Sequence, residues 1–120
     1  MAKILAVDDS TSMRQMLVFT LQSAGHQVIE AENGQTALQA AKSNPLDLVI
    51  SDVNMPVMDG ITLVKSLRAL PEFKFTPILL LTTEASPEKK MEGKTAGATG
   101  WIVKPFNPDQ LLATVQRVLG

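Results

Sequence analysis

Five residues of this 120-residue chain have the types and spacing to do chemistry together: Asp8, Asp9, Asp52, Thr82 and Lys104. Asp8, Asp52, Thr82 and Lys104 each stand directly after a short run rich in Val, Ile and Leu, at residues 3–7, 47–51, 77–81 and 101–103, and Asp9 follows Asp8. If those runs are strands of one parallel sheet, three carboxylates, a hydroxyl and an ammonium meet at its carboxyl edge, where open α/β folds bind ligands. Two carboxylates about 4 Å apart repel by about 4 kcal/mol at an effective dielectric near 20. Three therefore need compensating charge. Lys104 supplies one unit, and a hard divalent cation supplies the rest. Oxygen donors with no His or Cys beside them select Mg²⁺, with Mn²⁺ as the substitute. Mg²⁺ keeps open coordination positions that phosphoryl oxygens complete, so the chemistry indicated is that of phosphate.

Each residue also has a plain structural use. Asp8 and Asp9 could cap a following helix, but Ser10 and Thr11 are there for that purpose. Asp52 could sit in a turn, and Lys104 could reach solvent. It is their joint placement at adjacent strand ends that argues for a site. Absences narrow the chemistry further. The segment Asp9-Ser10-Thr11-Ser12-Met13 has no glycine, which excludes a P-loop, a dinucleotide fingerprint or a glycine-rich flavin phosphate cradle. There is no cysteine, and the only histidine, His26, falls at the start of the second apolar run, the opposite end of the sheet. An aspartate is then the best available nucleophile.

The elements that must position these residues alternate between two periods. Apolar runs at 3–7, 27–31, 47–51, 77–81 and 101–103 are too short for helices and read as strands buried on both faces. Helical patterns lie between them. The first puts Met13, Met16, Leu17, Leu21 and Ala24 on one face and stops at Gly25. The second starts after Asn33, turns Ala37, Leu38 and Ala41 inward and ends before Pro45. The third carries Leu63, Leu67 and Leu70 and ends before Pro71. The fourth starts at Ser86-Pro87 but is weak, with Gly93 inside it and Met91 and Ala96 as its main apolar contacts. The fifth opens with the cap Asn107 and with Pro108 at its first position, and presents Leu111, Leu112, Val115, Val118 and Leu119. Leu70 to Pro77 reads as a connection packed by Phe73 and Phe75. Five strand–helix units in strict alternation predict a doubly wound α/β sandwich.

Composition fits one ordinary globular domain over residues 1–120, with 45% hydrophobic and 19% charged residues. A net charge of −1 offers no basic field for nucleic acid. No stretch has the length of a membrane span, and the expected compartment is the cytoplasm. The charged stretch Glu88–Lys94 reads as a solvated face.

Four motifs in order carry a resemblance: Val7-Asp8-Asp9-Ser10; Ser51-Asp52-Val53-Asn54-Met55-Pro56 with Met58-Asp59-Gly60; Leu81-Thr82-Thr83-Glu84; and residues 97–106, Gly-Ala-Thr-Gly-Trp-Ile-Val-Lys-Pro-Phe. The chain resembles the receiver domains of two-component response regulators over essentially its whole length, most closely the stand-alone chemotaxis type. The resemblance implies a flavodoxin-like (βα)5 three-layer sandwich with strand order 2-1-3-4-5, and no output domain. It implies that Asp52 is the phospho-acceptor, that Asp9 ligates Mg²⁺ directly and Asp8 largely through water, and that the Asn54 backbone carbonyl is a further ligand. Thr82 bonds a phosphoryl oxygen, Lys104 pairs with the phosphoryl group, and the Lys104–Pro105 peptide is cis. Asn54 and Glu84 match positions that tune dephosphorylation. Thr82 and Trp101 match the switch pair, although Tyr or Phe is usual where Trp101 stands. The implied protein is a monomeric phospho-acceptor switch rather than a dedicated enzyme, assisting its own phosphorylation and dephosphorylation. Its implied partners are a histidine kinase of the chemotaxis type, a flagellar motor switch protein and a phosphatase. The alternatives are a phosphorelay intermediate or phosphate sink and, less favoured, a metal-dependent phosphatase. The latter usually has an acid–base Asp two residues after its nucleophile, where Asn54 stands here.

Overall fold

In the computed structural model, which describes residues 2–83 and 86–120, five strands alternate with five helices: β1 (Lys3–Val7), α1 (Thr11–Ser23), β2 (Gln27–Ala31), α2 (Gly34–Ser43), β3 (Leu48–Asp52), α3 (Gly60–Arg68), β4 (Ile78–Thr82), α4 (Pro87–Ala96), β5 (Gly100–Val103) and α5 (Pro108–Leu119). A 3₁₀ turn, Pro71–Phe73, follows α3. The strands form one parallel sheet in the order β2-β1-β3-β4-β5. β3 and β4 lie inside it, and all five residues of each are buried, in keeping with the apolar runs at 48–50 and 78–81 that open them.

Strand pleating sorts the side chains into two layers. Leu5, Val7, Val49, Ile78 and Leu80 face α2, α3 and α4, where they meet Ala37, Ala41, Leu63, Val64 and Leu67. Ile4, Ala6, Leu48, Ile50, Leu79 and Leu81 face α1 and α5, against Leu17, Leu21, Leu111 and Val115. Each helix start is capped by a side chain: Ser10, Asn33, Asp59, Ser86 and Asn107 accept from backbone N–H groups in the first turn. Asn33 and Thr36 cap reciprocally, and Pro87 and Pro108 sit at the first helical positions.

Several boundaries and faces depart from the sequence expectation. β3 and β4 begin one residue later and take in Asp52 and Thr82 as their last residues. Asp47 is drawn off into a side-chain contact, accepting the Lys3 N–H on Oδ2 at 2.8 Å. On α1, Met16 is 55% exposed and Ala24 is exposed, so the inward line is Met13, Leu17 and Leu21. Thr20 joins that line because its hydroxyl donates to the Met16 carbonyl at 2.8 Å, which satisfies it within the helix. Met91 is 62% exposed, and the buried residue of α4 is Gly93. Phe73 is buried as expected, whereas Phe75 is 87% exposed. No helix among the described residues is long and apolar enough to cross a membrane.

Candidate phosphoryl-accepting site

The pleat that builds the core also builds the site. Asp8 continues the Ile4, Ala6 face of β1, Asp52 the Leu48, Ile50 face of β3, and Lys104 the Ile102 face of β5. All three therefore point to the α1/α5 side of the sheet at its carboxyl edge. There Lys104 Nζ donates to Asp8 Oδ2 at 2.9 Å and lies 3.2 Å from Asp52 Oδ1. Asp9, exposed at the rim, completes a cluster in which one carboxylate oxygen from each of Asp8, Asp9 and Asp52 falls within 4.8 Å of the others.

Asp8 is fully buried and held on three sides. Its Oδ1 accepts the Ser10 N–H at 2.9 Å, its Oδ2 takes Lys104, and its carbonyl accepts Arg14 Nη1 at 2.6 Å. Arg14 also bonds Glu30 at 3.1 Å. Asp52 is 6% exposed, and its Oδ1 accepts the Val53 N–H at 2.9 Å and faces Lys104. Its Oδ2 receives no hydrogen bond from the described residues.

Burial pushes the Asp52 carboxyl above the usual aspartate range; Lys104 opposes that shift and the Asp8 charge adds to it. Burial works to lower the Lys104 ammonium, but its hydrogen bond to Asp8 and the charges of Asp52 and Asp8 prevail and raise it. Three carboxylates against one ammonium leave two net negative charges. An all-oxygen donor set with that charge fits a divalent hard cation such as Mg²⁺.

The loop after β3 wraps the site. Asn54 is exposed two residues beyond Asp52. Val57 has φ 71° and is 75% exposed, with the Met58 N–H donating to the Pro56 carbonyl at 2.7 Å around it, a γ-turn. Gly60 opens α3 directly against the backbone of Asp52 and Val53: its N–H donates to the Val53 carbonyl at 2.8 Å, and a Cβ there would collide with the Asp52 carbonyl oxygen.

Thr82 is buried on the other side of the sheet, where it follows Leu80 in the pleat. Trp101 shares that side, paired in register with Leu80. Thr82 and Trp101 thus lie on the opposite face of the sheet edge from the acid cluster. The Lys104–Pro105 peptide is cis, as the motif implies. His26 lies at the far end, its Nδ1 accepting the Ala2 N–H at 3.1 Å. The expectation for Glu84 falls outside the described residues. Sequence reasoning missed Arg14, Val57 and Gly60. Only the glycine left a trace, inside the Met58-Asp59-Gly60 motif.

The comparisons agree with this geometry. The sequence matches the family model of the response regulator receiver domain over residues 4–116. It is 41% identical over 117 residues to the chemotaxis protein CheY-3 of Vibrio cholerae, covering 97% of this chain and 90% of that protein. The structure of the chemotaxis response regulator CheY4 of Vibrio cholerae superposes with a TM-score of 0.94 at 62% identity, over 98% of both chains. The receiver domain of the sensor histidine kinase PA1611 from Pseudomonas aeruginosa, solved with a magnesium ion coordinated in its active site cleft, superposes with a TM-score of 0.93 at 28% identity, over 99% of this chain and 98% of that one. Receiver domains of the CheY type are phospho-acceptor switches that bind Mg²⁺ in an acidic pocket and interact with histidine kinases and downstream targets. A carboxylate cluster neutralised by one lysine, on the flavodoxin-like sheet these relatives share, leaves one assignment: the chain belongs to the response regulator receiver domain family.

Proposed function

We propose that this chain is a cytoplasmic, monomeric chemotaxis-type response regulator that takes a phosphoryl group on Asp52 from a kinase phosphohistidine. The observation that carries the reading is the bridge of Lys104 between Asp8 and Asp52, with Asp52 Oδ2 unengaged. Asp52 Oδ2 attacks phosphorus in line, the phosphorus–imidazole nitrogen bond breaks, and the leaving imidazole takes its proton from solvent. Lys104 turns from Asp52 onto a phosphoryl oxygen while keeping its contact with Asp8, and the Thr82 hydroxyl bonds another. Catalysis rests on positioning and charge. The residues that would hold Mg²⁺ are Asp9 and Asp52 directly, Asp8 through water, and the Asn54 carbonyl; when bound, the ion neutralises charge on the transferring group. The same residues then assist hydrolysis of the acyl phosphate, at a rate that Asn54 and Glu84 tune.

Output runs through the opposite face. Thr82 drawn toward the phosphoryl group shifts the start of α4, beside Trp101. The surface of α4, β5 and α5 would bind the target, a flagellar motor switch protein. Its apolar character supports this: Met91 is 62% and Val103 47% exposed, and a groove along β5 and α5 is lined by Trp101, Val103, Gln110 and Thr114. The test is incubation with acetyl phosphate, with and without Mg²⁺, followed by intact mass and Trp101 fluorescence. A Mg²⁺-dependent gain of one phosphoryl group, absent in Asp52→Asn, is expected. Folded wild-type protein that binds Mg²⁺ and gains no mass would refute the acceptor role.

A further inference from the structure

Trp101 and Gly93 are fitted to one another. Gly93 is the buried residue of α4, and a Cβ placed on it would stand 2.7 Å from Trp101 Cζ3 and 3.0 Å from Leu80 Cδ1. The benzene ring of the indole therefore fills the space that any other side chain at position 93 would need. Glycine inside a helix weakens it, so the residue type costs α4 stability that the contact with the ring offsets. The indole Nε1 is buried and has no hydrogen-bond partner among the described residues. Packing alone holds the ring where it is.

We infer that Gly93 is the positioning residue for Trp101: its missing Cβ is the seat that keeps the indole inward and joins α4 to β5. The larger ring at position 101 is tolerated because the helix opposite has given up a side chain. Beyond Gly93 the helix is fixed, since Arg68 donates from Nε and Nη2 to the Gly97 carbonyl at 3.0 and 2.9 Å. Before it, Pro87, Glu88 and Met91 are exposed. The consequence for signalling rests on the proposed switch: a shift of the first turns of α4 pivots on this ring.

The seat is tested in the unphosphorylated full chain, apart from any phosphoryl chemistry. Trp101 is the only tryptophan, so its emission and its quenching by acrylamide report one site. Gly93→Ala should move the emission to the red and raise the quenching constant several-fold. Trp101→Phe leaves the seat open, and in that background Gly93→Ala should hold or raise the thermal midpoint, because alanine is the better helix former. The inference is overturned if Gly93→Ala leaves emission and quenching as in the wild type. It is equally overturned if Gly93→Ala lowers the midpoint by the same amount in both backgrounds. Should the single variant not fold, recovery of folding on adding Trp101→Phe supports the seat, and failure of both variants overturns it.

Discussion

Lys104 sits closer to Asp8, at 2.9 Å, than to the proposed acceptor Asp52, at 3.2 Å. The fully buried Asp8 therefore anchors the ammonium. It carries the shorter contact while its other oxygen is fixed by the Ser10 N–H. Lys104 is thereby held beside Asp52 without being consumed by it, and it can turn to an incoming phosphoryl oxygen while keeping a partner.

Removing the ammonium should expose this arrangement. Lys104→Met leaves two buried carboxylates uncompensated and should lower metal-free stability by about 3 kcal/mol in denaturant titrations. Mg²⁺ should restore more stability to the variant than to the wild type, because the ion replaces the missing charge. The Lys104 ammonium is raised above 10.5 in the fold. Its contribution is therefore complete below the unfolded value and is lost as pH climbs through the folded one. The gap between wild type and variant should hold from neutral pH to about 10 and close above it.

Asp52→Asn should abolish phosphoryl uptake and yet stabilise the metal-free protein. Burial raises the Asp52 carboxyl above 3.8, so the ionised form is less favourable folded than unfolded. The amide removes that cost, so the variant should be the more stable at pH 7. The gain should shrink as pH falls through the raised folded value toward the unfolded one and vanish below both. A variant less stable than the wild type in chelator at pH 7 would contradict this cost of burying the Asp52 carboxylate.

The acid cluster was legible because strand period and motif point the same way. The short apolar runs that open β3 and β4 read as buried strands, and it was the joint placement of several polar residues at strand ends, not any one Asp, that marked the site. Strand order came from the family resemblance, not from periodicity. Helix faces were less legible. On α1, Met13, Met16, Leu17, Val18, Phe19 and Leu21 spread apolar residues around the helix, so Met16 was counted inward although it is exposed. Gly93 looked like a flaw because the ring that occupies its space lies on another element. Arg14 and Arg68 could be read as charges, but the carbonyls they hold, that of Asp8 for Arg14 and those of Phe73, Thr76 and Gly97 for Arg68, are backbone groups that no side-chain pattern marks. Val57 was invisible for the opposite reason: a β-branched residue argues against the positive φ it adopts.

Arg68 joins three segments at the end of the sheet away from the aspartates. Its guanidinium donates to the carbonyls of Phe73 and Thr76 at 2.6 Å and to that of Gly97 at 2.9 Å, with no carboxylate among the described residues involved. Burial lowers its pKa, but a guanidinium stays charged throughout the working range. Arg68→Met should cost about 2–3 kcal/mol, since these carbonyls lose a charged donor. Arg68→Lys should recover little, because one ammonium cannot reproduce the fork. Phosphorylation by acetyl phosphate should continue in both variants, while hydrogen exchange quickens at the end of α4 and in residues 71–77. Loss of phosphoryl uptake in a folded Arg68→Lys protein would mean the two ends of the sheet are coupled more tightly than this geometry provides.

Val57 stores strain beside the site. A β-branched residue at φ 71° costs about 1–2 kcal/mol relative to one suited to that region. Its side chain is 75% exposed and returns little packing. Asparagine tolerates the left-handed region far better, so Val57→Asn should raise stability by about 1 kcal/mol. Val57→Gly should gain less, because glycine also frees the unfolded chain. Both are read as denaturant midpoints at unchanged slope. If the strain sets how the Asn54 carbonyl is presented three residues earlier, Mg²⁺ titrations of Val57→Asn will move with stability. An unchanged Mg²⁺ affinity alongside the stability gain would confine the strain to the γ-turn itself.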